Sequence, residues 1–591
     1  MSQATKTAGA DAGYRKLIEM GIALSAERNH KRLLELILLN AKDMTNADGG
    51  TLYLLDGKAL KFAILRNDSL KIAMGGTTGI EIPFPPVRLE DDEGRQNHNN
   101  VSAHVALTGA LVNIADAYDA AEFDFSGTRK FDAGTGYRSK SFLTVPLKNH
   151  QDEVIGVLQL INARTPEGLV ASFTPDIVPL IEALSSQAAV ALDNRNLIEA
   201  QKRLLESFIK LIAKAIDAKS PYTGGHCERV PELTKMLAQA ACQSDDPRFA
   251  AFQLSEDEWE ELHIASWLHD CGKVTTPEYV VDKATKLETI YDRIHEVRMR
   301  FEVLKRDAEI ECWKSIAQGA DSDAAQAALA ARLAELDQDY AFVAECNVGG
   351  EFMAPDKVER LKKIAATRWL RTLDDRLGVS HEEKLRQERE PARPLPAWED
   401  LLADKPEHVI FRDGKDEFPA EFGFDMKVPA NKYNRGELYN LCVARGTLTE
   451  EDRFKINEHI VQTIIMLKQL PFPKHLKAVP EIAGGHHEKM DGNGYPKRLT
   501  RDQMSLPARM MAIADIFEAL TAVDRPYKKG KTLSETVKIM SFMKKDQHID
   551  PDLFELFLTS GVYNDYAKRY MKDYQIDPVD VAQYLPKPAA E

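Results

Sequence analysis

Five histidines and two aspartates, spread over about 290 positions, constrain this chain more than any other feature. They are His226 in YTGGHCERV, His269 and Asp270 in WLHDCGKV, His459 in INEHIVQTIIML, His486 and His487 in AGGHHEKMDGNGYP, and Asp515 in MAIADIFEALTAVDRPY. Imidazole and carboxylate together suit borderline to hard divalent ions such as iron or manganese, and a donor set of this size suits two of them. The adjacent His269 and Asp270 are the most telling pair. Leaving one helix end side by side, they let the carboxylate bridge two ions while the imidazole binds one. Any single histidine is more often a hydrogen-bonded core residue; the weight lies in the set.

HDxGK followed by HHExxDGxGYP in one chain resembles the HD-GYP family, a subgroup of the HD phosphohydrolase superfamily, over residues 200–283 and 446–560. The resemblance implies an all-α, metal-dependent phosphodiesterase that opens the cyclic dinucleotide c-di-GMP to pGpG and often onward to GMP. It implies that His226, His269, Asp270, His459, His486, His487 and Asp515 are metal ligands, with Asp270 as the bridge. Lys273 and Asp270 then stand as catalytic residues, and Asp491, Gly494, Tyr495, Pro496, Glu518 and Arg525 as substrate-binding ones. Two iron or manganese ions would polarise the phosphodiester and lower the pKa of the attacking water. Lys273 would offset phosphate charge or protonate the leaving 3′ oxygen.

The chain departs from that family pattern at Glu518, where the family usually has Asp, and at Arg525, which one extra residue precedes. These departures bear on base recognition, so another cyclic dinucleotide such as 3′,3′-cGAMP is the alternative substrate. A non-catalytic ligand-binding signalling protein is the alternative from another class, and the intact ligand set argues against it. Some family members hold a third ion through a carboxylate upstream of the first histidine; Asp217, Ser220 and Tyr222 occupy that stretch here, and a third ion stays open.

His459 lies 186 positions after Lys273 where the family pattern has a couple of dozen, which predicts an insertion of about 160 residues. His295 competes with His459, but GTLTEEDRFKINEH reproduces the family's run and spacing and favours His459. Residues 284–345 read as charged, alanine-rich helices forming an antiparallel pair or a coiled coil. HVIFRDGKDEF reads as a hairpin around Asp413-Gly414.

Upstream, Leu17, Ile18, Ile22, Leu33, Leu34, Ile37 and Leu38 fall at helical spacing, and TLYLL, FAIL, FLTVPL and EVIGVLQLINA read as strands. LVNIADAYDAAEF, TGYRSKSFLTVPL and VIGVLQLINA resemble the GAF domain. That resemblance implies a pocket for a cyclic nucleotide or other small ligand, with Asn113, Asp116, Phe123, Asp132, Tyr137 and Arg138 as its candidate residues. Beyond it, Leu184, Ala191, Ile198, Leu205 and Ile212 recur every seventh residue, flanked by Val190, Leu197, Leu204 and Leu211. This column predicts either a helix paired with its copy in a homodimer or an amphipathic helix on its own domain.

The expected architecture is therefore multidomain. An α+β GAF sensor domain (12–175) is followed by a connecting signalling helix (176–218). An all-α HD-GYP catalytic domain comes in two parts (219–283 and 446–560), separated by a large, mostly helical insertion (284–445), and a C-terminal extension (561–591) closes the chain. Net charge is −15, with no basic motif interleaved with aromatics, which disfavours nucleic acid as a partner. No run of about 18–20 apolar residues and no signal core occur, so no membrane partner and a cytoplasmic location are expected. The six cysteines form no CxxC pair and read as reduced.

Overall fold

The computed structural model describes residues 3–219, 225–350, 352–414, 418–523 and 530–586, with side chains from Arg15 onward. It divides into two compact units, Met1–Leu205 and Glu206–Glu591.

In the first unit, α1 (Gln3–Ala26) and α2 (His30–Thr45) precede an antiparallel sheet. Its strands are β1 (Ala47–Asp56), β2 (Ala59–Asn67), β3 (Ile72–Gly75), β4 (Val87–Arg88), β5 (Val112–Ile114), β6 (Phe142–Lys148), β7 (Val154–Arg164) and β8 (Val170–Ala171). They run in the order β3-β2-β1-β7-β6-β5, with β4 on β2 and β8 on β7. The connections carry α3 (Val101–Thr108) and α4 (Ser126–Thr135).

Asn29 caps α2, accepting a hydrogen bond from Arg32 N, and fixes which face the helix presents. Leu33, Leu34, Ile37 and Leu38 on that face pack against Leu143, Leu158 and Leu160 of the central strands. Leu184 and Leu192 of α5 (Val178–Lys219) join the same core. Ile18 and Ile22, which share the apolar pattern, instead face solvent. Along α5, Leu197, Ile198, Leu204, Leu205, Leu211 and Ile212 are 39–61% exposed, so the seven-residue column leaves the core beyond Leu192.

The second unit opens with α6 (His226–Cys242), α7 (Glu256–Leu268) and the short α8 (Glu278–Val281). Next come α9 (Ile294–Ala317), α10 (Ser322–Val348), α11 (Pro355–Ala365), β9 (Arg368–Arg371), α12 (His381–Gln387), β10 (Ala397–Asp400), β11 (Val409–Phe411), β12 (Asn431–Asn434) and α13 (Glu437–Leu441). The chain then continues through α14 (Glu450–Gln469), α15 (Val479–Gly484), α16 (Leu506–Thr521), α17 (Leu533–Lys545), α18 (Pro551–Thr559) and α19 (Val562–Tyr570). Capping boxes start the two helices that lead into the histidine cluster: Ser255 with Glu258 for α7, and Thr449 with Asp452 for α14.

The middle segment has its own core, with Leu287, Val297, Phe301, Val343, Leu361 and Leu441 buried together and α9 and α10 packed as a helical hairpin. Its two ends are clasped. Buried Lys286 donates to Leu441 O (2.9 Å) and Val443 O (2.8 Å), and Lys283 pairs with Asp452 (2.7 Å). β11 pairs with β12, about 20 residues on; of the hairpin expected around Asp413-Gly414, residues 415–417 lie outside the described residues. Further along, Phe418 stacks on Phe454 of α14, and Phe422 stacks on Phe424. Val562, Tyr566 and Ala567 are buried in the main helical core, where Tyr566 meets Phe517 edge-on.

The backbone after α7 lies hard against α14. A Cβ at Gly272 would stand 1.9 Å from His459 O and 2.5 Å from Thr463 N, and Gly272 N donates to Thr463 Oγ1 (2.9 Å). Gly272→Ala is expected to lower the melting temperature of this unit by several degrees, since overpacking costs about 1–3 kcal/mol. Scanning calorimetry of the full chain checks this.

Candidate metal centre

The seven expected ligands come from five separate places in the chain and meet in one cluster. His226 starts α6, after Gly225 has turned the chain with φ +82°. His269 ends α7, and Asp270 follows it into a tight turn that carries Lys273. His459 sits inside α14, His486 and His487 follow α15, and Asp515 lies on α16.

Asp270 stands between two groups of histidines. Its Oδ2 lies 3.2 Å from His226 Nε2 and 3.3 Å from His269 Nε2, while Oδ1 lies 3.2 Å from His459 Nε2. Asp515 Oδ1 approaches His226 Nε2 at 3.3 Å and His269 Nε2 at 3.9 Å. His487 Nε2 meets His459 Nε2 at 3.2 Å. Two donor triads thus form, His226–His269–Asp515 and His459–His486–His487, with Asp270 grouped with His269 and His486 between them. Within each group the ligand atoms lie within 4.8 Å of one another.

The histidines are oriented from behind. Nδ1 of His269, His459 and His486 donates to the carbonyl three residues earlier: Ser266 O (2.7 Å), Ile456 O (2.5 Å) and Ala483 O (2.7 Å). A carbonyl only accepts, so the proton is on Nδ1 and each Nε2 turns a lone pair inward. His486 Nε2 is buried with no hydrogen-bond partner among the described residues. His459 Nε2 and Asp270 Oδ1 are then two acceptors face to face in a buried site. That arrangement is unfavourable by itself and favourable around a cation. The donor set therefore fits divalent metal ions.

Charge is tuned to the same end. Burial favours the neutral form of Asp270, yet Lys273 and His269 hold it well below the carboxylate range. Burial works against the Asp515 carboxylate too, and His226 chiefly outweighs it and holds this group low. Burial pushes His486 down to about 4 and His487 well below its ordinary value, so both imidazoles are neutral, as a metal would need. His226 moves the other way. Burial opposes its charged form, but Glu518, Asp270 and Asp515 raise it well above the ordinary value. A metal ion would compete with that proton.

The remaining expected residues are placed as follows. Lys273 Nζ is paired with Asp270 Oδ2. Tyr495 stacks on His487, with ring centroids 4.9 Å apart and 17° between planes. Gly494 and Pro496 are buried in the same loop, where a Cβ at Gly494 would strike Glu488 Cα at 2.4 Å. Asp491 is exposed and caps Asn493. Glu518, expected to face substrate, is buried behind His226: one oxygen accepts from His226 Nδ1 and the other from Arg229 Nε (2.7 Å). One helical turn separates it from Asp515, so α16 supplies both a ligand candidate and the support of another. Arg525, Ser220 and Tyr222 lie outside the described residues. Asp217 accepts from Gly225 N (3.1 Å) and so shapes the turn before His226. His295 is exposed on α9 beside Arg298 and outside the cluster.

Two supports escaped sequence reasoning. Glu488 is buried and accepts from Lys497 N (2.7 Å) and Leu499 N (2.9 Å), tying down the loop that carries Tyr495. Thr463 receives Gly272. Glu488 directly follows the paired histidines, a signal that could have been read; nothing near Thr463 marks it.

The first unit holds a separate cavity of about 390 Å³, walled by Tyr53, Phe62, Phe84, Phe125 and Phe142 with Arg66, Ser102 and Gln159 as polar groups. Of the six expected ligand positions, Tyr137 lines it. The other five are placed elsewhere, because local bonds and packing take them up. Asn113 donates to Phe173 O (3.2 Å), and Asp132 holds Ser139 and Tyr118. Asp116 pairs with Arg138 (3.8 Å), and Phe123 packs on His104.

Comparison with known proteins places two domains in the chain. The GAF domain model matches residues 29–192, and the HD domain model HD_5 matches residues 396–553. The HD match includes His459, His486, His487 and Asp515 and begins within the segment expected as an insertion. A cyclic di-GMP phosphodiesterase of Pseudomonas aeruginosa is 42% identical over 86 residues, 14% of this chain and 20% of that protein. The 3′3′-cGAMP-specific phosphodiesterase 1 of Vibrio cholerae is 36% identical over 116 residues, 20% of this chain and 26% of that one. The chain thus spans a fifth to a quarter of the length of these relatives. Among solved structures, the GAF domain of an Acinetobacter phosphoenolpyruvate-protein phosphotransferase aligns with 32% of this chain and 98% of its own, at 15% identity and a TM-score of 0.23.

Glu518→Ala is expected to weaken metal binding roughly 10–100-fold by freeing the His226 ring and leaving Arg229 without this carboxylate. Metal titration followed by elemental analysis measures this directly.

Proposed function

We propose that this chain, which joins a GAF domain to an HD domain, is a metal-dependent phosphodiesterase that opens the cyclic dinucleotide c-di-GMP to pGpG and onward to GMP. The observation that carries the reading is the position of Asp270 between two histidine groups, in which His269, His459 and His486 turn Nε2 lone pairs inward. The ions we assign are two, iron or manganese, held by His226, His269 and Asp515 on one side and His459, His486 and His487 on the other, with Asp270 shared. Such ions supply the charge that polarises a phosphodiester and makes water nucleophilic near neutral pH.

The protein's own groups do the rest. Lys273 is partly exposed beside Asp270, so its ammonium can turn to the phosphate oxygens or hand a proton to the leaving 3′ oxygen. Burial opposes its charge, yet Asp270 and Asp515 raise its pKa and keep it protonated for that task. Tyr495, fixed over His487, offers a ring face beside the reacting phosphate, and Gly494 lets that loop pack close. Asp491 and Pro496 complete the loop. Glu518 acts through His226. We assign a cyclic nucleotide or another small ligand to the GAF cavity as the regulator.

A second reading keeps the chemistry and changes the substrate to 3′,3′-cGAMP. It is favoured by similarity at 36–43% identity to three phosphodiesterases named for that molecule. Anaerobic turnover by protein with quantified iron and manganese, run in parallel on both dinucleotides, separates the readings by kcat/KM. Asp270→Ala is expected to lower turnover by roughly 10²–10³-fold or more. Absence of product from fully metallated wild-type protein on either substrate would leave a ligand-binding signalling role.

We further propose that the enzyme works as a homodimer in the cytoplasm, paired along the exposed apolar column of α5. No helix among the described residues is long and apolar enough to cross a membrane. The double variant Leu197→Glu, Leu204→Glu places like charges on the proposed seam and is expected to sediment as a monomer where the wild type sediments as a dimer.

A further inference from the structure

We propose that the inserted segment completes the substrate site: residues 425–429 form one wall of a guanine-binding pocket in which Arg453 reads the base. This inference rests on the cyclic dinucleotide phosphodiesterase reading and specifies which part of the chain recognises the nucleotide.

A cavity of about 290 Å³ opens between this strap, the outer face of α14 and the loop that carries Tyr495. That volume is near the lower end of the ~300–1,000 Å³ typical of small-molecule sites. Its walls include Met426, Arg453, Phe454, Asn457, Asn493 and Tyr495. Tyr495 also stacks on His487, so one ring borders both the cavity and the metal cluster. In this proposal a ligand with its phosphate at the metal centre places its base in the cavity.

The strap is held in place by bonds to that loop. Asp425 N donates to Pro496 O (2.7 Å), and Arg498 Nε donates to Asp425 O (3.2 Å). The first of these joins main chain to main chain, so it does not depend on the side chain at position 425. Lys427 pairs with Glu450 at the start of α14 (3.1 Å), and Phe418 stacks on Phe454 with ring centroids 6.1 Å apart.

The recognition chemistry is on α14. Arg453 and Asn457 are four residues apart and so share a helix face. Neither side chain has a hydrogen bond or ion pair among the described residues, although both line the cavity. A guanidinium matches O6 and N7 of guanine with two parallel hydrogen bonds. Met426, Phe454 and Tyr495 supply apolar and aromatic surface for the ring faces.

The test uses the full chain loaded with manganese, assayed on c-di-GMP and on bis(p-nitrophenyl) phosphate, a diester with no base. Arg453→Ala is expected to raise KM for c-di-GMP about 10-fold, with kcat little changed and kcat/KM for the baseless diester within about twofold of wild type. Met426→Trp, which fills the cavity from the strap side, is expected to give the same split. Wild-type c-di-GMP kinetics in both variants, or equal losses on both substrates, would overturn the pocket. Wild-type protein that cleaves the baseless diester but no guanine-containing cyclic dinucleotide would overturn the base assignment alone. Wild-type protein that cleaves neither would overturn the phosphodiesterase reading, and this inference with it.

Discussion

Asp270 has one carboxylate oxygen 3.2 Å from His226 and the other 3.2 Å from His459, and it is almost fully buried. A buried carboxylate is costly unless it is matched by opposite charge and hydrogen bonds. The architecture of the helical unit answers that cost. The end of α7 delivers the carboxylate, Lys273 stands one turn away as its counter-charge, and Gly272 lets this turn sink against α14 until His459 comes within reach. Carbonyls at the ends or within the turns of three helices then aim the imidazoles inward. Each of these supports acts on orientation, which is what a buried cluster of donor groups demands of its protein.

The middle segment is held in place for a related reason. It enters after α8 and returns before α14, and Lys283 and Lys286 join its two ends, so the spacing between the HDxGK turn and α14 is set by local bonds and not by the length of chain between them. Its separate apolar core lets it fold around its own contacts. Its returning strap bonds to the loop beside the metal cluster.

In the first unit the sheet is covered by α2 and the start of α5, while the cavity lies among aromatic side chains and Arg66, Ser102 and Gln159. Beyond Leu192, Leu197, Ile198, Leu204 and Leu205 of the apolar column on α5 face solvent. The same seven-residue repeat therefore serves two surroundings along one helix, packing inside the domain first and then lying exposed.

Much of the centre was legible in the sequence. The strings around His226, His269, Asp270, His459, His486, His487 and Asp515 fix donor type and local geometry over a few residues, and those positions do meet in space. The helices of the insertion and the strands of the first unit were legible too, because periodicity is a local property. What the sequence left open was decided by contacts between residues far apart in the chain. Glu518 turned from a substrate contact into the support of His226 because α16 packs on α6. β11 found its partner in β12, about 20 residues on, a pairing that local periodicity does not encode. Five of the six expected GAF positions were taken up by local bonds and packing, leaving Tyr137 at the cavity. The sequence alone determined which donor side chains the chain can bring together, since residue type and motif spacing are written residue by residue. Only the tertiary structure decided which side chains face the reacting centre and which stand behind it, since that depends on how helices hundreds of residues apart pack.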